Sequence, residues 1–336
     1  MIDPAELYPL KFTPIYRERI WGGNALRDVL HRALPETASP IGEAWELADR
    51  DDAQSVVANG ELASQTLGEL CRTYGKALLG QKVAKFDRFP LLVKLIDAGD
   101  RLSLQVHPDA AACRTLGKGE PKTEMWYVIS SHPGAKILAG LSPRTTQLQL
   151  KERLDKPEIE NLLQVYPSMP GDAYYIPAGT IHAIGAGNLL LEIQQNSDTT
   201  YRISDWGRVG ADGKPRELHL VDGVQSIDFT NRVSPRIAGT VDRASYNRKF
   251  HVISQCPYFQ VQDLRLVSPW RDDTAMRGSF HLITAITAPV AIARRLDAPE
   301  KLRIDAGETA LIPANLGAYM IEPERSGETI VIKTTL

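Results

Sequence analysis

Seven residues, Leu102 to Pro108 (LSLQVHP), alternate strictly in polarity. Side chains two apart share one face of a strand, so Leu102, Leu104 and Val106 go to one side and Ser103, Gln105 and His107 to the other. The apolar side is core. The other carries a hydroxyl, an amide and an imidazole in a row, and such a row inside an apolar barrel requires a ligand, water or metal to satisfy it. Whatever completes the row must come from elsewhere in the chain.

A second pattern, Gly171-DAYYI-Pro177-Ala178-Gly179-Thr180-Ile181-His182, has the form G-x5-P-x-G-x2-H. Its glycines and proline make a tight strand-turn-strand corner, and His182 leaves that corner pointing inward. It resembles the second motif of the cupin superfamily of jelly rolls. The companion cupin motif is normally H-x-H followed a few residues on by Glu; here Gln105-x-His107 takes its place, and Glu124 comes later in the chain. Gln105, His107, Glu124 and His182 offer four N/O ligands acceptable to Zn²⁺ and, less selectively, to Fe²⁺ or Mn²⁺. One carboxylate against a divalent cation leaves a net positive site, suited to stabilising an oxyanion. The remaining histidines, His31, His132, His219, His251 and His281, read as hydrogen-bonded core residues.

The surrounding chain is rich in short strands with Gly and Pro turns, which points to a mainly β sandwich or jelly roll. In PLLVKLID, Lys94 either snorkels to solvent from an edge or points a cation into a pocket. The turn at Ala98-Gly99-Asp100 reads as a hairpin into LSLQVHP. Glu46, in the alternating segment IGEAWEL, reads as a solvated or salt-bridged carboxylate. Thr66 to Gly80 has helical spacing with a closing glycine, and Thr145 to Leu163 reads as one helix or two parted near Pro157. In TEMWYVI, Glu124, Trp126 and Val128 share a face. Toward the C-terminus, Gly307-ETALI-Pro313-Ala314 keeps the Gly-to-Pro spacing of the first corner, with Ala318 where His182 would fall. The expected architecture is therefore two cupin-type jelly-roll β-barrels with a few inserted helices. Residues 1–235 form the catalytic barrel, with helical insertions at about 61–80 and 145–165, and residues 236–336 form a degenerate, metal-free one.

A formal net charge of −2 and the lack of any dense Lys/Arg run leave no field for nucleic acid. No stretch approaches the roughly 18 apolar residues of a membrane span, and the opening lacks a signal-peptide layout, so a cytoplasmic protein is expected. Cys71, Cys113 and Cys256 are odd in number and outside any CxxC, which suggests neither a disulfide framework nor a thiolate metal site.

Over nearly its whole length the chain resembles the type I mannose-6-phosphate isomerases, in particular their short bacterial form. The resemblance rests on PLKFTPIYRERIWGG, GEAWELAD, PLLVKLIDAGDRLSLQVHPD, PKTEMWYVI, GDAYYIPAGTIHAIGAG and QQNSDTTYRISDWGR, in the family's order. It implies one zinc ion per chain at Gln105, His107, Glu124 and His182. It also implies active-site roles for Lys94, Lys122, Asp198 and Arg202, with a sugar phosphate as the small-molecule partner and a monomer or weak homo-oligomer as the assembly. The implied reaction interconverts mannose 6-phosphate and fructose 6-phosphate through a cis-enediolate. Arg202 is expected to hold enediolate or phosphate charge. Lys94 and Lys122 qualify as the base if their surroundings lower their pKa, and Asp198 qualifies as base or orienting group. Ser103, Lys122 and Lys94 are equal candidates for the phosphate. Two rival readings share the pocket: a metal-dependent cupin oxygenase and a non-catalytic sugar-phosphate-binding cupin.

Overall fold

A computed structural model of the chain describes residues 2–81, 83, 88–154, 156–210, 213–231, 233–237, 239–244, 247–253, 256–276 and 278–336. It is mainly β and divides into two compact units. One comprises residues 16–44 and 93–237, the other residues 1–15, 45–92 and 238–336. Among the described residues, no helix is long and apolar enough to cross a membrane.

The unit of residues 16–44 and 93–237 is built on two sheets. The larger has seven strands in the order Arg236–Ile237, Ala173–Ile176, Glu124–Ser131, Asn188–Gln195, Leu91–Ala98, Ile41–Leu47 and Ile15–Glu18. The smaller has five, in the order Leu163–Pro167, Lys136–Leu141, His182–Ile184, Leu104–Val106 and Tyr201–Ser204. Trp21, Ile96, Leu102, Trp126, Val128, Ile137, Tyr174, Ile184 and Leu190 form one apolar cluster drawn from both sheets. This is the jelly-roll arrangement, in which paired antiparallel sheets enclose a common interior.

The smaller sheet carries the polar row. Its register sets His182 and Arg202 on either side of Gln105. Leu104 and Val106 belong to a different cluster, together with Ile181, Ile203, Leu150, Ile159 and Leu162. The core expected on their side is therefore the sheet's outer face, covered by residues from the 145–163 insertion. Leu102 departs from the expected alternation: it precedes the strand proper and joins the interior cluster instead. The insertion itself is less helical than expected. It holds an α-helix at Gln147–Lys151 and a 3₁₀ segment at Pro157–Leu162, then strand Leu163–Pro167.

The turn after Ala98 does not close a hairpin. Leu91–Ala98 lies in the seven-stranded sheet and Leu104–Val106 in the five-stranded one, so the turn carries the chain across the barrel. The Gly171–His182 corner makes a similar crossing, from Ala173–Ile176 to His182–Ile184. Gly171 and Gly179 sit at φ 89° and 87°, a region that disfavours any Cβ.

The other unit has an eight-stranded and a four-stranded sheet. Its own corner runs from Thr309–Ile312 in the former to Ala318–Pro323 in the latter, with Gly307 at φ 85° and Ala318 opening the second strand as His182 does. A single division near residue 236 does not describe the chain. Leu10–Thr13 is hydrogen-bonded to Thr309–Ile312, with Leu10 opposite Leu311, and Val56–Val57 pairs with Leu10–Thr13 in turn. Residues 1–15 and 45–92, including the helix Leu67–Leu79 with its Thr66 capping box, thus go with the C-terminal residues. Glu46 belongs to the same unit and is buried, not solvated; the strand Ile41–Leu47 is buried at all seven positions. A strand pairing spanning some three hundred residues leaves no local mark in sequence.

Candidate active site

His107 follows the strand Leu104–Val106, Glu124 opens Glu124–Ser131, and His182 opens His182–Ile184. The three are completely or almost completely buried, and their ligand atoms all lie within 4.8 Å of one another. Among the described residues this is the one such group of His, Cys, Asp or Glu. The imidazoles are oriented from behind: His107 Nδ1 is 2.8 Å from the Thr199 carbonyl and His182 Nδ1 2.8 Å from that of Thr180. Those carbonyls accept, so each Nδ1 carries the proton and each Nε2 presents a lone pair inward. The Nε2 atoms stand 3.4 and 3.3 Å from the Glu124 carboxylate. No hydrogen bond reaches His107 Nε2 or Glu124 Oε1, although both are buried, and Glu124 Oε2 meets the Lys122 ammonium at 2.8 Å. Buried acceptors facing one another without donors are costly, and a cation at their centre removes the cost. The set fits a divalent metal ion.

Gln105 borders the cluster. Its Oε1 accepts from Ser103 Oγ at 3.3 Å and its Nε2 lies 3.2 Å from His182 Nε2. Rotating the amide by half a turn exchanges the two atoms and turns Oε1 toward the cluster, as a fourth ligand requires.

The electrostatics suit metal ligands. Burial pushes the His182 imidazole down to about 3 against the opposing pull of Glu124. Burial also lowers His107, with the Lys122 charge adding to it. Both rings are neutral, the form that binds metal. Burial works to raise Glu124, yet the Lys122 charge, foremost, and the facing imidazoles hold it well below the usual carboxylate range.

Beside the cluster, on the far side of Gln105 and Lys122, opens a cavity of about 380 Å³, lined among others by Lys94, Ser103, Gln105, Lys122, Glu192, Asp198 and Arg202. Every sequence-derived catalytic or substrate residue therefore reaches one space. Lys94, on a strand in the interior of the seven-stranded sheet, is a buried cation pointed into the pocket rather than a snorkelling edge residue. Its ammonium stands 3.7 Å from both Glu192 and Asp198. The Lys122 ammonium stands 2.8 Å from Glu124 and 3.7 Å from Glu192. Burial opposes the charge of Lys122, but Glu124 and Glu192 raise its pKa above the ordinary lysine value.

Glu192 is the residue that sequence reasoning passed over. It is buried between the two lysines, and burial, reinforced by Glu124 and opposed by Lys122 and Lys94, pushes its carboxyl up to about 7. The signal was present: a carboxylate within NLLLEIQQ, a strand otherwise buried and apolar at its centre, is costly without a purpose. Arg19, Trp21, Glu43, Trp126, Thr200 and Arg216 also line the cavity. Trp126 meets the His182 ring edge-on at 5.2 Å. Arg216 lies in an irregular segment with no periodicity to betray it.

Three comparisons bear on this arrangement. Residues 9–139 match the family model for the catalytic domain of type I phosphomannose isomerase. The chain is 36% identical to mannose-6-phosphate isomerase ManA of Bacillus subtilis, over 94% of this chain and 96% of that protein. It is 37% identical to a mannose-6-phosphate isomerase of Streptococcus mutans, over 75% and 77% of the two chains. Its fold superposes on the crystal structure of the mannose 6-phosphate isomerase from Bacillus subtilis with a TM-score of 0.85, at 30% identity and covering 98% and 99% of the chains. Phosphomannose isomerase from Salmonella typhimurium, at 16% identity and a TM-score of 0.77, shares the fold. By the extent and depth of these matches, the chain belongs to the type I phosphomannose isomerase family.

Proposed function

We propose that the chain is an aldose-ketose isomerase that interconverts mannose 6-phosphate and fructose 6-phosphate, with one zinc ion held by Gln105, His107, Glu124 and His182. The observation that carries the reading is the pair of imidazoles facing a buried carboxylate, with His107 Nε2 and Glu124 Oε1 lacking any hydrogen-bond donor, at the edge of a charged cavity. Neutral N and O donors in this number suit zinc. When bound, the ion supplies a positive charge for the sugar oxygens at C1 and C2.

The chain's own residues do the rest. Moving a proton between C1 and C2 needs a base near the carbons and donors for the oxygens of the cis-enediolate. Glu192 is the carboxylate enclosed by Lys94 and Lys122, and we assign it the proton transfer. Lys122, held protonated, donates to the developing oxyanion, and Lys94 faces it across Glu192. Asp198, half exposed and 3.7 Å from Lys94, orients that lysine and is not the base. Ser103 is a substrate contact beside Gln105. The phosphate is assigned to Arg202 with Arg216, whose planar guanidiniums match it, because Lys94 and Lys122 are each held between two carboxylates whereas Arg216 meets one, Asp205. The same reading carries a cytoplasmic location, where phosphorylated sugars are retained. It calls on no second chain, since every residue named comes from residues 16–44 and 93–237.

The test measures bound metal, then fructose 6-phosphate formed from mannose 6-phosphate before chelation, after it, and after zinc return. Turnover lost and restored with zinc is expected. His182→Ala loses metal and turnover together, while Arg202→Ala keeps metal and loses turnover at mannose 6-phosphate concentrations that saturate the wild type. A fully zinc-loaded protein without isomerisation would sink the reading; iron with oxygen uptake would favour an oxygenase, and sugar-phosphate binding without turnover a binding protein.

A further inference from the structure

The segment after the strand Tyr201–Ser204 opens with Asp205 and Trp206. Trp206 has φ 60°, a conformation that bulky L-residues adopt only where the surroundings impose it. The surroundings are specific. Trp206 Nε1 donates to the Leu102 carbonyl at 2.7 Å, and the Arg101 guanidinium lies 4.2 Å above the ring. Arg208 donates to the Arg101 carbonyl at 2.8 Å and pairs with Asp100 at 3.1 Å. Residues 206 and 208 are thereby strapped to residues 100–102, immediately before Ser103 and Gln105.

Asp205 is the hub of this strap. It is 6% exposed and accepts from Arg208 at 2.8 Å and from Arg216 on both oxygens, at 2.8 and 2.5 Å. The segment carrying Arg216 is joined to its surroundings by an isolated bridge between Val209 and Pro215, by Gly210 with Lys214, and by the Glu217 carbonyl with Arg202. Yet Arg216 lines the cavity beside Arg202, a second cation. Arg202 Nε is buried without a hydrogen-bond partner, while its NH1 is spent on the Glu217 carbonyl at 2.7 Å. Like charges lining one cavity repel unless something holds them, and a buried guanidinium donor left without a partner suits an anion.

We infer that Asp205 is a positioning residue: it clamps Arg216 against the repulsion of Arg202, through the strap made by Trp206 and Arg208, so that two guanidiniums meet the substrate phosphate. The inference rests on the isomerase reading and adds to it the device that sets phosphate affinity. Asp205 touches no substrate. Its effect passes through Arg216, so it governs capture of the phosphate more than the proton transfer.

The experiment uses the zinc-loaded full chain and measures kcat and KM for mannose 6-phosphate and the inhibition constant of inorganic phosphate. Asp205→Asn is expected to raise KM and the phosphate inhibition constant together by about tenfold, with kcat changed by less than about threefold. Arg216→Ala is expected to do the same, and adding Asp205→Asn to it to change little further, because the two act as one unit. The inference is overturned if Asp205→Asn lowers thermal stability but leaves the phosphate constant in place, or if the two substitutions multiply independently. Calorimetric titration with inorganic phosphate separates this result from the wider reading: a wild type that binds phosphate through Arg216 but never isomerises keeps the clamp and discards the isomerase.

Discussion

Glu192 concentrates the chemistry of the cavity at a single residue. It is a buried carboxylate 3.7 Å from both Lys94 and Lys122, and the proposed isomerisation assigns it the proton transfer. Replacing Glu192 with Gln keeps the shape and a hydrogen-bonding group but removes the base. General base catalysis is worth about 10²- to 10⁴-fold, so kcat for mannose 6-phosphate is expected to fall within that range while zinc content by elemental analysis stays at one per chain. Activity near wild type would reassign the base. Two members of the buried His107, Glu124 and His182 group were legible in sequence because each stands in a pattern with a reason to face inward: His107 by alternation, His182 by its corner. Glu192 and Arg216 were harder, since one lies in an apolar run and the other in an irregular loop.

At the scale of elements, the corner Gly171–His182 does more than reverse the chain. Gly179 N donates to the His107 carbonyl at 2.8 Å, and its own carbonyl accepts from Asp228 N at 2.9 Å, so one turn ties together the segments bearing both histidines. A Cβ on Gly179 would stand 3.0 Å from Asp228 Cβ and 3.2 Å from the Ser226 carbonyl, with φ at +87°. Gly179→Ala is therefore expected to cost about 1–3 kcal/mol, read as a lower urea midpoint, and to weaken zinc retention against a chelator. The corner was readable because glycine and proline spacing is local chemistry. The Ala98–Asp100 turn was misread as a hairpin for the complementary reason: a turn's residues show that the chain bends, and only the partners of Leu91–Ala98 and Leu104–Val106 show that it changes sheet. Likewise the apolar positions of the 145–163 insertion were visible, but their job of covering Leu104 and Val106 reshaped them into one short helix, a 3₁₀ segment and a strand.

For the whole molecule, each compact unit has its own buried charges, and those outside the metal centre bear on stability. In the unit of residues 1–15, 45–92 and 238–336, Lys333 pairs with Asp272 at 2.6 Å. Burial alone would raise the Asp272 pKa, but the Lys333 charge and hydrogen bond bring it below the ordinary value, with His281 helping. A folded pKa below the unfolded one means that the pair's stabilisation is present above about pH 4 and is lost as pH falls further, when the unfolded state takes up the proton first. Urea midpoints of wild type are expected to drop across that window, and those of Asp272→Asn to be lower at neutral pH and to drop less steeply on acidification. An equal pH slope in both proteins would remove Asp272 from the account. The strand Leu10–Thr13 has a consequence of another kind. It is hydrogen-bonded to Thr309–Ile312, some three hundred residues further along the chain, so it is made long before its partner. The eight-stranded sheet cannot close until residues 309–312 have been made, and until then the strand Leu10–Thr13 waits with an unpaired edge that chaperones are suited to shield.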